Sequence, residues 1–395
     1  MSEVHALLMR SATGSEVYLM ERAHPAAHFG TLLSLPRIEQ IEAGEDREIV
    51  LRFTGRGDVH PESVTLHGAL PGDVPPEGSV AIDESALRAF FESGEKIVSP
   101  ALGAFLGDDP TRDGAWEIAR GFFIFPMRSP TLFPATHTNS FLIVGDDAIL
   151  IEPSTPDESE LDRIEAFTRA ELDRAGARLR AILVTHHHPD HIGGVGSLRK
   201  RFGVPILAHE GTIERLRGEV DFDGSIADGE RFDCGRGRVL EAVHTPGHAP
   251  GHLCFHELST GAMIAGDMVA GVGTILVARH DGNMRRYLAS LERMKAREPR
   301  YLLPAHGGVI FNPKGYLDHY RAHRLMRESK IVDALKELGG EGTLDTLLPL
   351  AYDDAPLSVY PLARLSLDAH LEKLVEEGRA KTAPGGGFIL IQRGE

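Results

Sequence analysis

Residues Ala181–His191 read AILVTHHHPDH, and this stretch decides how the rest of the chain is interpreted. Its first four residues are apolar, which predicts a short buried strand. The polar residues after it form the array H-x-H-x-D-H, made of His186, His188, Asp190 and His191. On an extended chain, residues two apart point the same way, so His186 and His188 can bind one ion. Asp190 and His191 follow a proline and can turn toward a second ion.

Further candidate ligands lie in short turns that each follow a predicted strand. They are His248 in HTPGH, Asp267 in AGD and His306 in PAHGG. Ligands at strand ends are what a metal site at one edge of a sheet requires. Asp267 is suited to bridging two ions, because a carboxylate has two oxygens. We predict that His252, four residues after His248, supports the site by a hydrogen bond and is not itself a ligand.

The composition agrees with metal chemistry based on histidine and aspartate. The chain has 20 histidines, and eleven of them fall between His186 and His306. Its two cysteines, Cys234 and Cys254, cannot form a disulfide scaffold or a four-thiolate zinc site. The intervening His187 points to the opposite side of the extended chain, so we do not expect it to be a ligand.

In this order, these motifs resemble those of the metallo-β-lactamase superfamily, across roughly residues 125–313. The preceding TNSFL at Thr138–Leu142 is similar to the strand that opens that fold. The resemblance implies an α/β fold, an αββα sandwich with two divalent ions, zinc foremost, at one edge. It also implies a ligand set in which Asp267 bridges, the first ion is held by His186, His188 and His248, and the second by Asp190, His191 and His306.

Such a site predicts a metal-dependent hydrolase. Two adjacent ions lower the pKa of a shared water, and the resulting hydroxide attacks an ester-type or phosphodiester substrate. We also expect a catalytic role for Asp190, in orienting the hydroxide or moving its proton. An aspartate at position 267 is typical of the glyoxalase-II-like, lactonase and nuclease branches of the superfamily, and not of the antibiotic-resistance lactamases.

The length of 395 residues predicts two or three domains. We place an N-terminal α+β domain at residues 1–122, the metallo-β-lactamase-fold domain at 123–313 and a winged-helix-like domain at 314–395. Residues 1–120 hold 20 acidic and 10 basic side chains and so carry most of the net charge of −16.

The N-terminal domain opens with two strand-like runs, His5–Met9 and Val17–Met20, and a helix is predicted over Glu84–Glu92. It resembles a Nudix domain, but the acidic cluster that should follow Arg47 and Glu48 to hold magnesium is missing. A degenerate copy of that domain and an unrelated cap both remain open.

The tail predicts three helices followed by a hairpin, the order of a winged helix. The second and third helices are predicted over Leu344–Tyr352 and Leu362–Glu377, and the turn reads PGGG at 384–387. With the middle domain, this tail is similar to the β-lactamase-like family that includes an endoribonuclease. The resemblance implies activity on single-stranded RNA.

Charge argues against duplex DNA as a partner of this tail. The third helix carries Arg364 and Lys373 against four acidic side chains, and a phosphate backbone would repel it. We therefore expect the winged helix to serve in packing, in a homodimer contact or as a substrate lid.

Two substrate classes remain open, a short single-stranded RNA and a small ester or thioester cleaved by a glyoxalase-II-like thioesterase or lactonase. No stretch approaches the roughly 18 apolar residues of a membrane span, and the first 20 residues lack the layout of a signal peptide. We expect no membrane partner and a cytoplasmic location.

Overall fold

The computed structural model describes residues 115–310 and 312–391, together with five strands nearer the N-terminus. The chain forms two compact units, residues 1–124 and residues 125–395.

The first unit is built from antiparallel strand pairs. Strand β1 pairs with β2 and with β6, and β4 lies between β3 and β5. The prediction for β2 is confirmed, and β1 begins two residues later than predicted. The predicted helix over Glu84–Glu92 lies outside the described residues, and the Nudix resemblance stays a prediction. The strands are β1 (Leu7–Ser11), β2 (Val17–Met20), β3 (Ile38–Ala43), β4 (Glu48–Phe53), β5 (Ser63–His67) and β6 (Trp116–Ala119).

The second unit contains two larger sheets. In the first, β8 and β9 are antiparallel, whereas β9, β10, β11 and β12 are parallel neighbours. Strands β8, β9 and the end of β10 are almost wholly buried, as expected for a sheet covered on both faces. The strands are β7 (Phe122–Arg128), β8 (His137–Val144), β9 (Asp147–Ile151), β10 (Arg178–Leu183), β11 (Ile206–Ala208) and β12 (Gly224–Ser225).

The second sheet runs in chain order from β13 to β17. Neighbours are antiparallel except for the last pair, β16 and β17, which are parallel. Strands β14, β16 and β17 therefore end at the same edge of this sheet. Its strands are β13 (Arg231–Gly235), β14 (Arg238–His244), β15 (Leu253–Glu257), β16 (Ala262–Gly266) and β17 (Tyr301–Pro304).

Helices cover the outer faces of both sheets, which confirms the αββα sandwich. Helices α1 and α3 contact the first sheet, while Met284, Tyr287 and Leu291 of α5 join the core of the second. No helix in the described ranges combines the length and apolar character that a bilayer crossing requires. The helices are α1 (Glu158–Ala175), α2 (Pro189–Ile192), α3 (Val195–Phe202), α4 (Glu210–Arg215) and α5 (Met284–Lys295).

The tail has the predicted order of helices and hairpin. Helix α8 begins two residues before the predicted Leu362, because a 3-10 turn at Leu357–Val359 runs directly into it and Pro361 fits its first turn. The three strands form one antiparallel sheet. The elements are α6 (Pro313–Glu337), β18 (Glu341–Gly342), α7 (Leu344–Ala351), α8 (Tyr360–Glu376), β19 (Ala380–Thr382) and β20 (Phe388–Leu390).

Helix α6 belongs to both cores of the second unit. Near its start, Leu317 and Tyr320 pack into the core of the second sheet. Near its end, Ile331 and Leu335 pack into the core of the tail. Its 25 residues form one uninterrupted helix, which begins where the Asn312 side chain accepts a hydrogen bond from the Gly315 amide.

Candidate metal centre

The seven predicted ligands meet at one edge of the sandwich. The H-x-H-x-D-H array follows β10 and runs into α2, whereas the other three ligands follow β14, β16 and β17. Their ligand atoms form two adjacent groups, within each of which the atoms lie no more than 4.8 Å apart. The first group is His186, His188, His248 and Asp267, and the second is Asp190, His191 and His306.

In the first group, three ring nitrogens converge on one point. His188 Nδ1 lies 3.0 Å from His186 Nε2 and 2.9 Å from His248 Nε2, and the two Nε2 atoms are 3.2 Å apart. Tetrahedral zinc with bonds of about 2.0–2.1 Å places its ligand atoms about 3.3–3.4 Å apart. The three nitrogens are therefore spaced almost as ligands of a single ion.

The outer nitrogens of these rings show which atoms are free to bind a metal. His248 Nδ1 donates to the Leu276 carbonyl at 2.8 Å, and His188 Nε2 donates to Asp281 Oδ2 at 2.7 Å. His186 Nδ1 lies 2.9 Å from the Thr185 hydroxyl. Because the outer nitrogens of His188 and His248 carry the hydrogens, their inner nitrogens present lone pairs, as metal ligands must.

Asp267 lies between the two groups and turns one oxygen toward each. Its Oδ2 is 3.5 Å from His248 Nε2, whereas its Oδ1 is 3.3 Å from His306 Nε2 and 3.6 Å from His191 Nε2. Asp267 Oδ1 and His191 Nε2 are buried and have no hydrogen-bond partner among the described residues. Two buried lone-pair donors that face one point and have no hydrogen-bond partner fit a divalent ion, which would satisfy both.

The second group is completed by Asp190 and His306. The Asp190 carboxylate lies 3.5 Å from His306 Nε2 and 3.8 Å from His191 Nε2. The outer nitrogen of His306 donates to the His137 carbonyl at 2.9 Å, so its inner nitrogen is also free. The donor set of both groups, imidazoles and carboxylates, fits divalent metal ions.

Glu152, which sequence reasoning missed, holds His191. Its carboxylate accepts a hydrogen bond from His191 Nδ1 and another, at 2.6 Å, from the Thr185 amide. Glu152 is fully buried, and its φ of 61° lies in the left-handed region, which costs a non-glycine residue free energy. Burial alone would lower the pKa of His191, but the neighbouring Glu152 raises it well above its usual value.

His252 occupies the supporting position that the sequence predicted. Its Nε2 accepts a hydrogen bond from the Asp267 amide at 3.0 Å, and its Nδ1 lies 2.8 Å from the Thr245 hydroxyl. A Cβ at Gly266 would lie only 2.5 Å from His252 Nε2, so glycine is required for this close approach. His252 thus fixes the backbone that carries the bridging carboxylate.

Burial keeps two ligands in the neutral form that binds metals. Burial, reinforced by the neighbouring His188, lowers the pKa of His248 to about 4. Burial, reinforced by the neighbouring His191, lowers the pKa of His186 well below its usual value. For Asp267, burial would raise the pKa, but the adjacent His306 and His191 hold it well below the usual range. All three side chains are therefore ready to bind a cation near neutral pH.

Asp281 is a second residue that sequence reasoning missed. Besides its bond to His188, its carboxylate lies 3.1 Å from His187 Nε2 and 3.4 Å from the Arg215 guanidinium. Burial would raise the pKa of Asp281, but His187 and His188 hold it well below the usual range. His187, which we did not expect to be a ligand, belongs to neither ligand group and faces this carboxylate.

Comparison with known proteins agrees with this geometry. Residues 134–306 match the model of the metallo-beta-lactamase superfamily, and residues 343–386 match the beta-lactamase associated winged helix domain. Lactamase-like protein vrtG of Penicillium aethiopicum is 32% identical over 318 residues, which cover 78% of this chain and 94% of that protein. The chain belongs to the metallo-β-lactamase superfamily. It is a hydrolase of the metallo-β-lactamase fold with an associated winged helix.

Of two further relatives of this metallo-β-lactamase-fold hydrolase, only the second has a name that states an activity. Beta-lactamase-like protein 2 homolog of Drosophila melanogaster is 27% identical over 270 residues, 65% of this chain and 88% of that protein. Atrochrysone carboxyl ACP thioesterase dmxR1 of Cryptosporiopsis sp. is 28% identical over 274 residues, 64% of this chain and 79% of that protein.

The fold is also found in a solved structure, a beta-lactamase domain protein from Burkholderia ambifaria. It is 21% identical, covers 71% of this chain and 94% of its own, and superposes with a TM-score of 0.61. At this identity the likeness concerns the fold alone.

Proposed function

We propose that this hydrolase cleaves thioesters of apolar acyl groups at a centre that holds two zinc ions. The observation that carries the proposal is an exposed apolar loop beside the ligands. Leu132 and Phe133 are 60% and 89% exposed, and the adjacent Thr131 hydroxyl lies 3.5 Å from His306 Nε2. Exposed aromatic surface at the rim of a polar site is suited to binding the apolar part of a substrate.

The ligand atoms divide between two ions. His186, His188 and His248 would hold one ion with Asp267 Oδ2, and Asp190, His191 and His306 would hold the other with Asp267 Oδ1. When bound, two such ions lower the pKa of a shared water and polarise the carbonyl of a thioester. Zinc is favoured because imidazole and carboxylate are its usual ligands and the three nitrogens of the first group are spaced for tetrahedral geometry.

Asp190 is the residue that we assign to proton transfer. Its side chain is 14% exposed, so the carboxylate is accessible to solvent. A carboxylate there can accept the proton of the attacking water and pass it to the leaving thiolate, which departs as the thiol. The fully buried His252 and Glu152 keep Asp267 and His191 in place and need take no part in proton transfer.

The acyl-thioester class is supported by the relative whose name states an acyl-carrier thioesterase activity. Single-stranded RNA, the class implied by the resemblance to an endoribonuclease family, is the competing substrate. The two classes differ in which part of the molecule binds: an acyl chain would lie on Leu132 and Phe133, whereas RNA would need cations along a backbone path.

A substrate panel tests the proposal. The full chain, loaded with Zn²⁺, is assayed with acyl-thioesters of increasing chain length, with lactones and with single-stranded RNA. We expect thioester hydrolysis whose KM falls as the acyl chain lengthens. Phe133→Ala should raise KM for the longest thioester about tenfold with little change in kcat, because apolar contact is lost equally in ground and transition states.

Leu357→Ala provides the matched control, because this leucine of the winged helix is 76% exposed and should leave KM unchanged. Cleavage of RNA without hydrolysis of thioesters would refute the substrate assignment. A KM that is independent of chain length would refute the role of the apolar loop.

A further inference from the structure

One loop touches the first ligand group from outside. This loop, residues Ala278–Asn283, carries Asp281, whose Oδ2 accepts the hydrogen of His188 Nε2. The Asn283 amide donates to the Gly247 carbonyl at 2.7 Å, directly before His248. A Cβ at Gly282 would lie 2.4 Å from that same carbonyl, so the two backbones are in direct contact. The loop 278–283 therefore contacts His188 through a side chain and the His248 segment through its backbone.

The other side of this loop is held by the winged helix. Asp368, Glu372 and Glu376 are spaced four residues apart and so form a row along one face of α8, which we call the acidic row. Arg279 of the loop lies 3.0 Å from Glu372 and 3.4 Å from Asp368. Asn283 Nδ2 donates to Glu376 at 2.8 Å.

These contacts suit a positioning role better than a stabilising one. The side chains of Arg279 and Asp368 are 45% and 28% exposed, and ion pairs with this exposure add little to stability. Contacts along three successive turns of one helix nevertheless fix the position of the loop relative to α8. The three carboxylates of the acidic row thus face Arg279 and the Asn283 side-chain amide of the loop.

The second ligand group has its support elsewhere. His191 is held by the fully buried Glu152, and His306 by the His137 carbonyl of β8. His137 begins β8 and Glu152 directly follows β9, and both strands belong to the first sheet. A change in the winged helix should therefore affect the two ligand groups unequally.

We infer that the winged helix forms part of the first metal site, because its acidic row positions the loop 278–283 and, through Asp281, the ligand His188. Asp281 and the acidic row are positioning residues, which act on the ion only through His188 and the His248 segment. The inference rests on the metal centre of the proposed function and is independent of the substrate.

The experiment measures Zn²⁺ affinity for each ligand group separately. In a His306→Ala background only the first group is complete, and in a His188→Ala background only the second. Zn²⁺ binding to the full chain is followed by competition with a chromophoric chelator. In the first background, Asp281→Asn should weaken binding about tenfold or more, and Asp368→Asn with Glu372→Gln about threefold to tenfold.

The matched control is Asp345→Asn with Asp353→Asn, which removes two winged-helix carboxylates that pair with Arg364 and Lys330. It should leave the affinity within about twofold of the starting value. Arg279→Gln breaks the contact between the loop and the acidic row without altering the winged helix. This variant replaces Asp368→Asn with Glu372→Gln if that double variant does not fold. Combining Arg279→Gln with Asp368→Asn and Glu372→Gln should cause no further loss of affinity, because both changes remove the same interaction.

In the second background, the acidic-row variants should leave Zn²⁺ affinity unchanged. Equal losses in both backgrounds, or unchanged affinity in the first, would overturn the inference. Failure to bind Zn²⁺ in either background would overturn the metal centre as well. Zn²⁺ binding without thioester hydrolysis would refute only the proposed substrate.

Discussion

The two ligand groups of this hydrolase are built in different ways. The second group is embedded in the sandwich, where the side chains of His191 and its partner Glu152 are completely inaccessible to solvent. In the first group, by contrast, the His188 side chain is 28% exposed and is held by a loop that the winged helix contacts. One half of the centre thus depends on the core of the fold, and the other on a contact between domains.

Removal of the residue that the two groups share should have the largest effect. Asp267→Asn retains the shape of the side chain but weakens the binding of both ions. We therefore expect a loss of kcat/KM of about a thousandfold or more. Metal analysis should show both ions reduced together. The exposed Asp221→Asn is the control. Retention of one full equivalent of metal would show that the bridge is unnecessary.

Glu152→Gln should weaken the second ligand group and leave the first unchanged. Glutamine can accept only one of the two hydrogen bonds that Glu152 accepts from His191 and the Thr185 amide. Affinity for the ion of the second group, which includes His191, should fall about 10–100-fold, while the ion of the first group should be retained. The free energy of unfolding of the metal-free chain should fall by about 1–3 kcal/mol. Two-step chelator titration measures the first effect, and denaturant unfolding the second. Equal loss of both ions would contradict the division.

Gly247→Ala should do the reverse, weakening the first ligand group and leaving the second unchanged. Gly247 has a φ of 142°, and a Cβ there would lie 2.3 Å from the Tyr287 backbone of α5. The segment that carries His248 must move, so we expect about tenfold weaker binding of the first ion. The second ion should be unaffected. Gly196→Ala is the control, because a Cβ there meets nothing within 4 Å.

The smallest effect concerns the winged helix alone. Glu328 of α6 is buried among Lys373, Arg379 and His370. Burial would raise its pKa, but the neighbouring His370 and the hydrogen bond from Lys373 lower it to about 2. Ionised Glu328 therefore stabilises the fold above its unfolded pKa of about 4.3, and this contribution is lost as pH falls toward 2.

Glu328→Gln should accordingly cost about 2 kcal/mol at pH 7, and the difference from the unaltered chain should shrink between about pH 4.3 and pH 2. Thermal unfolding of the metal-free chain over this range measures it. A difference that persists at pH 2 would show that packing, and not charge, is responsible.

The site was largely predictable from the sequence because its ligands are locally encoded. Four ligands occur within six residues, and the others stand in short turns next to glycine or proline. Glu152 and Asp281 could not be found in this way. Each is an isolated carboxylate with no distinctive spacing, and its role exists only once β9 and the loop 278–283 lie against the histidines.

The winged helix illustrates the same limit. The charges of α8 predicted that it would not read duplex DNA, and its element order was predicted correctly. The sequence could not show what those carboxylates face, because Arg279 lies almost 90 residues away along the chain. Long-range pairing of this kind depends on the packing of α5, α6 and α8.

Helix α6 has a consequence for motion. It is continuous between the core that supports the metal-binding edge and the core of the winged helix, and at about 1.5 Å per residue it extends about 37 Å. An unbroken helix packed at both ends has no hinge, since sharp bends need a proline, a bulge or an inserted group within the helix. We therefore expect the winged helix to move with the metal-binding edge as one stiff body, because a swinging lid would need a hinge that α6 does not supply.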